Sequence, residues 1–314
     1  MEFNKAFWRL TQHECVRNIL TPAVRGYLRF WPLRAGKTFI WSQLVRPCFA
    51  WHPRKFVAST RFGSLMVGNT QDVVQQCIYF FGIWEPAVTQ WVSARLRPGD
   101  VFIDVGANIG YFSLLAAKSV GETGKVVAIE ASPVIFSLLQ HNLSLNQTHQ
   151  VRAVNIAVAD QPGKIALFHG TDYNSGETTT ISGQGLDFHG EVDALPLTAI
   201  LEPDELQRAR LIKIDIEGGE WSAICGIFAC LPDLSPVLEW IIEMHPAQLQ
   251  ALGRSGDDIV TLFASAGYHA YHLQNYALPV DCIDPLKPVR PVRFQRAIDE
   301  EMLVVFSKID ADFL

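Results

Sequence analysis

The sequence predicts an α/β fold: a mostly parallel sheet covered by helices on both faces. From about residue 100 onward, apolar strand-like runs alternate with helix-patterned stretches, the signature of βαβ units. The length, 314 residues, suits one large α/β domain with an added segment. Composition agrees, because 49% apolar and 18% charged residues support a sizeable core and exclude global disorder. The 17 prolines and 22 glycines are aperiodic, which excludes collagen-like and low-complexity chains.

Taken in order, Pro22, Pro32, Pro47 and Pro53 punctuate the first stretch and predict short helices rather than one long one. Phe56–Phe62 and Leu65–Val67 flank Gly63 as a small hairpin, and Asp72–Phe81 is a helix closed by Gly82. Another helix covers Thr89–Leu96 and stops at Pro98-Gly99. Strands follow at Val101–Val105, Lys125–Ile129 and Val151–Ala159, with helices at Gly110–Ser119 and Pro133–Asn146, the latter capped by Ser132. Lys164–Phe168 opens an irregular, glycine-containing region that runs to about Arg210. Leu211–Ile216, Pro236–Met244, Tyr268–Leu273 and Met302–Lys308 are further strands, with helices at Gly219–Phe228 and Asp257–Ala266. The domain division expected is an accessory segment over 1–80 and a main domain over 81–314.

Charge is uneven. Residues 1–100 carry 13 Lys+Arg against 5 Asp+Glu, while the remainder carries 13 against 27. The basic part also holds Trp8, Trp31, Trp41, Trp51, Trp84 and Trp91, a combination suited to an anionic surface such as membrane headgroups. The plainer reading is a helical lid with packed aromatics and solvated arginines. Peripheral membrane contact through residues 1–53 is therefore one expectation; nucleic acid is not an expected partner. Six cysteines without a CxxC pair indicate neither a zinc ribbon nor a disulfide scaffold, and a reducing, cytoplasmic setting is expected. No secretory signal or membrane span is expected, since polar residues interrupt every apolar run.

The sharpest motif is Asp104-Val105-Gly106-Ala107-Asn108-Ile109-Gly110, an apolar strand entering a glycine turn that opens a helix. Gly106 is expected to permit the turn, and Gly110 the close approach of a ligand. Glu130 ends the next strand, where a carboxylate can grip ribose hydroxyls. The loop is not G-x-G-x-x-G, and Asp104 would repel a pyrophosphate but attract a cation. S-adenosylmethionine, with a sulfonium and an ammonium, fits that charge better than NAD. The plain alternative is a pair of turn glycines and a solvated acid.

Alternation along Leu211–Glu217 would put Lys213, Asp215 and Glu217 on one face of a strand, beside the Gly106 loop. The following strand ends in Glu243-Met244-His245-Pro246, which would hold His245 at the rim of the crevice within reach of substrate. Histidine is the usual base for removing a hydroxyl proton near neutral pH. The plain alternative is a histidine that closes the strand end or packs under the following helix. Asp215, Glu217, Glu243 and His245 could also hold a hard cation, but Lys213 would compete for the carboxylates, and no metal is expected. Lys287, Arg290, Arg293 and Arg296 leave room for an anionic acceptor or for ordinary solvation.

At these residues the chain resembles the FkbM family of S-adenosylmethionine-dependent methyltransferases. The resemblance rests on Gly82–Pro86, Asp104–Ser113, Val127–Pro133, Asn155–Asp160, Ile212–Glu220 and Glu243–His245, in the family's order over about residues 60–308. It implies a seven-stranded, Rossmann-like class I methyltransferase fold and O-methylation of a hydroxyl on a sugar, glycan or natural product. It also implies Glu85 and Asp104 near the methionyl end of the cofactor, Glu130 near the ribose, and Asn155 with Ala157 near the adenine. Ala107, Asn108, Tyr111, Ala131 and Ser132 fall inside the same motifs. Gly219 stands where the family often has alanine. Two other readings stay open: an NAD-dependent oxidoreductase, and a non-catalytic module that binds a cofactor while its basic segment docks a partner or membrane.

Overall fold

The computed structural model describes residues 14–31, 36–169, 178–179, 187–228, 230, 234–274, 282 and 289–314. Lys287, Trp8, Pro32 and most glycines of the irregular region lie outside them. The described chain divides into two compact units, one running to Pro86 and including Cys282, the other built from the remainder.

The first unit begins with α1, Glu14–Phe30, then α2, Lys37–Phe39, a π-helical stretch Ile40–Val45, and α3, Arg46–Trp51. The expected break at Pro22 does not occur. Pro22 and Asn18 both lie on the exposed side of α1, so water can satisfy the carbonyl that proline cannot serve. Strands β1, Lys55–Ser59, and β2, Leu65–Asn69, pair antiparallel around Gly63, whose φ is +88°. Helix α4, Val73–Phe81, starts where the Asp72 carboxylate accepts from the Gln75 amide and stops at left-handed Gly82. Its Phe80 and Phe81 pack on Trp41, with ring centroids 5.7 and 4.9 Å apart, and form the centre of this core.

The second unit opens with α5, Pro86–Arg95, and carries an eight-stranded sheet rather than the seven strands expected. Its members are β3 (Val101–Val105), β4 (Lys125–Glu130), β5 (Val151–Asn155), β10 (Ala209–Ile214), β11 (Glu239–Met244), β12 (His269–Leu273), β13 (Val292–Arg293) and β14 (Met302–Ser307). The order across the sheet is β13-β12-β14-β11-β10-β3-β4-β5. Strands β11, β10, β3, β4 and β5 are parallel, β14 runs antiparallel between β11 and β12, and two-residue β13 is the extra edge. Every residue of β3 and of β14 is buried, as a sheet covered on both faces requires. Trp240, Phe263 and Phe306 anchor one side of that core, the two phenylalanines stacked at 4.0 Å. Strand order reverses between β3 and β10, so a crevice opens at their carboxyl ends.

Two expectations change here. The strand expected over Val151–Ala159 is two elements, β5 and then β6, Ala157–Val158, in a separate sheet. The Asn155 side chain causes the break: its Nδ2 donates to the carbonyls of Glu130 and Ala131, which takes the place of further backbone pairing with β4. Part of the region read as irregular is ordered sheet, with β7, Gly163–His169, antiparallel to β9, Asp187–Leu195, flanked by β6 and by β8, Thr178–Thr179. A bulge beyond Leu167, opposite Gly190, breaks the alternation by which a strand would be read.

Candidate active site

The crevice is assembled from four strand ends. Helix α6, Tyr111–Val120, follows the loop after β3; α7, Pro133–Leu145, follows β4; α8, Glu220–Phe228, follows the turn after β10; α9, Pro246–Ala251, follows β11. Gly106 and Gly110 both sit in the left-handed region, at φ +83° and +91°. A Cβ on Gly106 would lie 1.8 Å from the Asp215 carbonyl oxygen, so glycine is what lets the β3 and β10 turns press together. At Gly110 the near neighbour is the Leu139 side chain, 2.6 Å from an added Cβ, so helix packing and backbone conformation favour glycine here. Asn108, at φ +49°, steadies its own turn by accepting from the Ile109 amide.

Asp104 is buried at the end of β3. Its Oδ2 accepts from Ser113 Oγ at 2.6 Å, while Oδ1 has no hydrogen-bond partner. Burial pushes this carboxyl upward against the pull of Lys213 and Ser113. Glu130 accepts from the Asn108 amide on one oxygen and the Ser132 amide on the other, both at 2.9 Å. Burial outweighs those donors and raises it to about 7. Ser132 in turn caps α7, and Ala131 is half-buried beside it. Ala107 is buried, and its amide joins that of Gly106 on the Ile129 carbonyl. Tyr111 is buried, with its hydroxyl 3.2 Å from Thr89 Oγ1. Asn155 is an exposed brace for the end of β4, and Ala157 is buried in the second sheet. Glu85 belongs to the first compact unit, where it is buried at a left-handed φ of +39°.

The second cluster differs from its alternation pattern. Strand β10 ends at Ile214, but the Asp215 amide still donates to the Val105 carbonyl and its carboxylate meets Lys213 as alternation expects; Glu217, at positive φ beside Gly218, stands in a turn instead. Lys213 is fully buried next to Asp104 in the β10–β3 register, with its ammonium 2.6 Å from Asp215 and 4.9 Å from the Phe112 ring centre. Burial opposes charge on Asp215, but Lys213, Glu243 and His245 hold it below the usual carboxylate range. His245 is also buried, not open at a rim. Its Nε2 lies 3.2 Å from Glu217 and its Nδ1 3.0 Å from Glu220. Glu220, fully buried, also accepts from the Gly218 amide, so one carboxylate fixes both the turn and the imidazole. Burial disfavours the imidazolium, yet Glu220, Glu217 and Asp215 prevail and raise His245 to about 9. Sequence reasoning assigned no role to Glu220; its place in the first turn after a Gly-Gly pair was the signal available. Glu243, His245 and Glu301 bring one ligand-type atom each within 4.8 Å of one another, the closest approach to a metal set among the described residues. Arg293 and Arg296 pair with Asp310 and Glu300.

An orphaned buried carboxylate oxygen beside a second buried acid fits the cationic cofactor that the family resemblance implies, S-adenosylmethionine, and not a pyrophosphate. Among curated proteins, the chain is 28% identical over 163 residues to Methyltransferase sdnD of Sordaria araneosa, covering 43% of this chain and 62% of that protein. It is also 28% identical over 149 residues to Methyltransferase 1 of Beauveria bassiana, 41% of this chain and 59% of that one. The matches thus span about three-fifths of those relatives. Among solved structures, Methyltransferase FkbM from Methylobacillus flagellatus superposes with a TM-score of 0.37 at 17% identity, over 69% of this chain and 50% of that one. Residues 104–270, just over half of the chain and spanning all four strand ends, match the methyltransferase FkbM domain, and the chain belongs to that family.

Proposed function

We propose that the chain is an S-adenosylmethionine-dependent methyltransferase acting on a hydroxyl of a small molecule, glycan or natural product. The observation that supports this most is the unpartnered, buried Oδ1 of Asp104, ready for a cationic group at the strand-order reversal. When bound, the cofactor supplies an electrophilic methyl on a sulfonium. Asp104 would hold its ammonium end, and Glu130 the ribose hydroxyls. Asn155 donates to the main-chain carbonyl of Glu130 and so fixes the strand end, while the Asn108 and Ser132 amides hold the carboxylate itself.

In this reading His245 takes the proton from the acceptor hydroxyl. At neutral pH the imidazole of the cofactor-free chain carries a proton, because three carboxylates favour it. The positive charge of a bound donor would repel the imidazolium and lower the affinity of His245 for its proton, which favours the free base when donor is present. Glu220 holds the tautomer, and Lys213 holds Asp215; both are positioning residues. Holding donor and hydroxyl together would supply much of the rate.

The test is transfer of isotopically labelled methyl from S-adenosylmethionine into fractionated cell extract, comparing the wild type with His245→Asn. Label on an oxygen of a small molecule or glycan, lost in the variant by about 100-fold or more, is expected. Label on nitrogen, or turnover unchanged in the variant, would overturn the acceptor class or the base, respectively.

A further inference from the structure

We propose that the outward face of α1 docks in the plane of an anionic membrane surface. The helix is inside out for a surface helix. Its inner side carries buried Thr21 and Leu28 together with two arginines. Arg25 Nε donates to the Tyr79 carbonyl at 2.7 Å, and Arg29 donates to the carbonyls of Ser59 and Thr60 at 2.8 and 3.2 Å. Among the described residues the outer stripe has no charged side chain of its own; the nearest charge recorded at it is the Arg29 guanidinium, 5.4 Å from the Phe30 ring centre. Ile19, Ala23, Gly26 and Phe30 follow one another at spacings of four, three and four, which places them on one stripe. Ile19 is 74% exposed and Phe30 75%, and Trp31, the next residue, is 52% exposed. A cation turned inward and a phenylalanine turned outward are the reverse of what burial in water favours.

Charge selects the occupant. Residues 14–86 contain nine Lys+Arg and three acids, of which Asp72 and Glu85 are buried, so Glu14 is the one exposed acid of that stretch. Arg46, Lys55 and Arg61 are exposed. An isologous contact with a second copy would bring two such net-basic segments together. An anionic bilayer complements it, and aromatic residues at the end of an apolar stripe suit the headgroup boundary. Among the described residues no helix is long and apolar enough to cross a membrane, so α1 would lie along the surface.

The test is flotation of the full chain with vesicles of phosphatidylcholine alone and of phosphatidylcholine mixed with phosphatidylserine. Retention on the mixed vesicles alone is expected, falling as salt rises. Ile19→Ser with Phe30→Ser should weaken it by about tenfold or more, because each side chain forfeits its apolar burial. Both positions are exposed, and an unchanged thermal melt would confirm an intact fold. Arg46→Glu with Lys55→Glu should abolish the preference for anionic vesicles. Failure of the wild type to float, equal flotation on neutral vesicles, or full retention by the serine variant would overturn the proposal. So would light scattering that shows a dimer dissociated by Phe30→Ser, which would assign the face to a second copy.

Discussion

Replacing Glu220 by glutamine isolates the charge that holds His245. The exchange preserves shape and leaves an oxygen to accept from the Gly218 amide, but removes the carboxylate 3.0 Å from Nδ1. In the wild type, His245 rises from 6.5 to about 9 on folding. Its contribution to stability is therefore complete below pH 6.5 and disappears as pH climbs through about 9. That difference corresponds to about 3 kcal/mol at most, at roughly 1.4 kcal/mol per pKa unit. Burial opposes the imidazolium and Glu220 is the largest influence in its favour, so in Glu220→Gln the proton affinity should fall to the ordinary value or lower. Denaturant titrations across this range should show wild-type stability dropping by about 2–3 kcal/mol, and the variant staying nearly flat. The two curves should converge above pH 9. Parallel curves, or a histidine resonance that titrates near 6.5 in the wild type, would refute the reasoning.

Glu130 gives a second pH signature. Its carboxyl is raised to about 7, and hydroxyl donors favour the ionised form, so affinity for S-adenosylmethionine should increase with pH up to about 7, by as much as about tenfold per unit, then level off. Calorimetry on the wild type and Glu130→Gln checks this, the variant being weaker and insensitive to pH. Gly106→Ala forces a Cβ to within 1.8 Å of the Asp215 carbonyl at a φ of +83°; a loss of about 2–5 kcal/mol is expected in thermal or denaturant unfolding. Glu205, fully buried, receives Arg152 and Lys125; Glu205→Ala should cost about 1–3 kcal/mol by the same measurement, because Arg152 loses its carboxylate while Lys125, half-buried, keeps Glu202.

The parallel core was legible because each strand is a short apolar run bounded by glycine, proline or a capping residue such as Ser132. The Asp104–Gly110 loop was legible for the same reason, joined with the sign of its charges. What escaped was set by contacts distant in sequence. Alternation placed Lys213, Asp215 and Glu217 on one face; Asp215 does meet Lys213, but the left-handed turn at Glu217-Gly218 re-aims Glu217 toward His245. The packing of Gly110 on Leu139 was not legible because that neighbour lies on a different helix. His245 looked accessible because Pro246 ends its strand; its burial depends on Glu220, which local pattern shows only as one more acid at a helix start. The β6–β9 sheet was missed because its bulge and glycines conceal the period. Pro22 misled because its cost depends on whether water reaches the carbonyl it leaves unpaired.

Titration calorimetry of S-adenosylmethionine and of NAD into the wild type and Asp104→Asn tests the central claim most directly. S-adenosylmethionine alone is expected to bind, about tenfold or more weakly in the variant, while the thermal melt without ligand holds or rises, since a buried charge is removed. Binding of NAD in its place, or equal affinity of wild type and variant for S-adenosylmethionine, would contradict it.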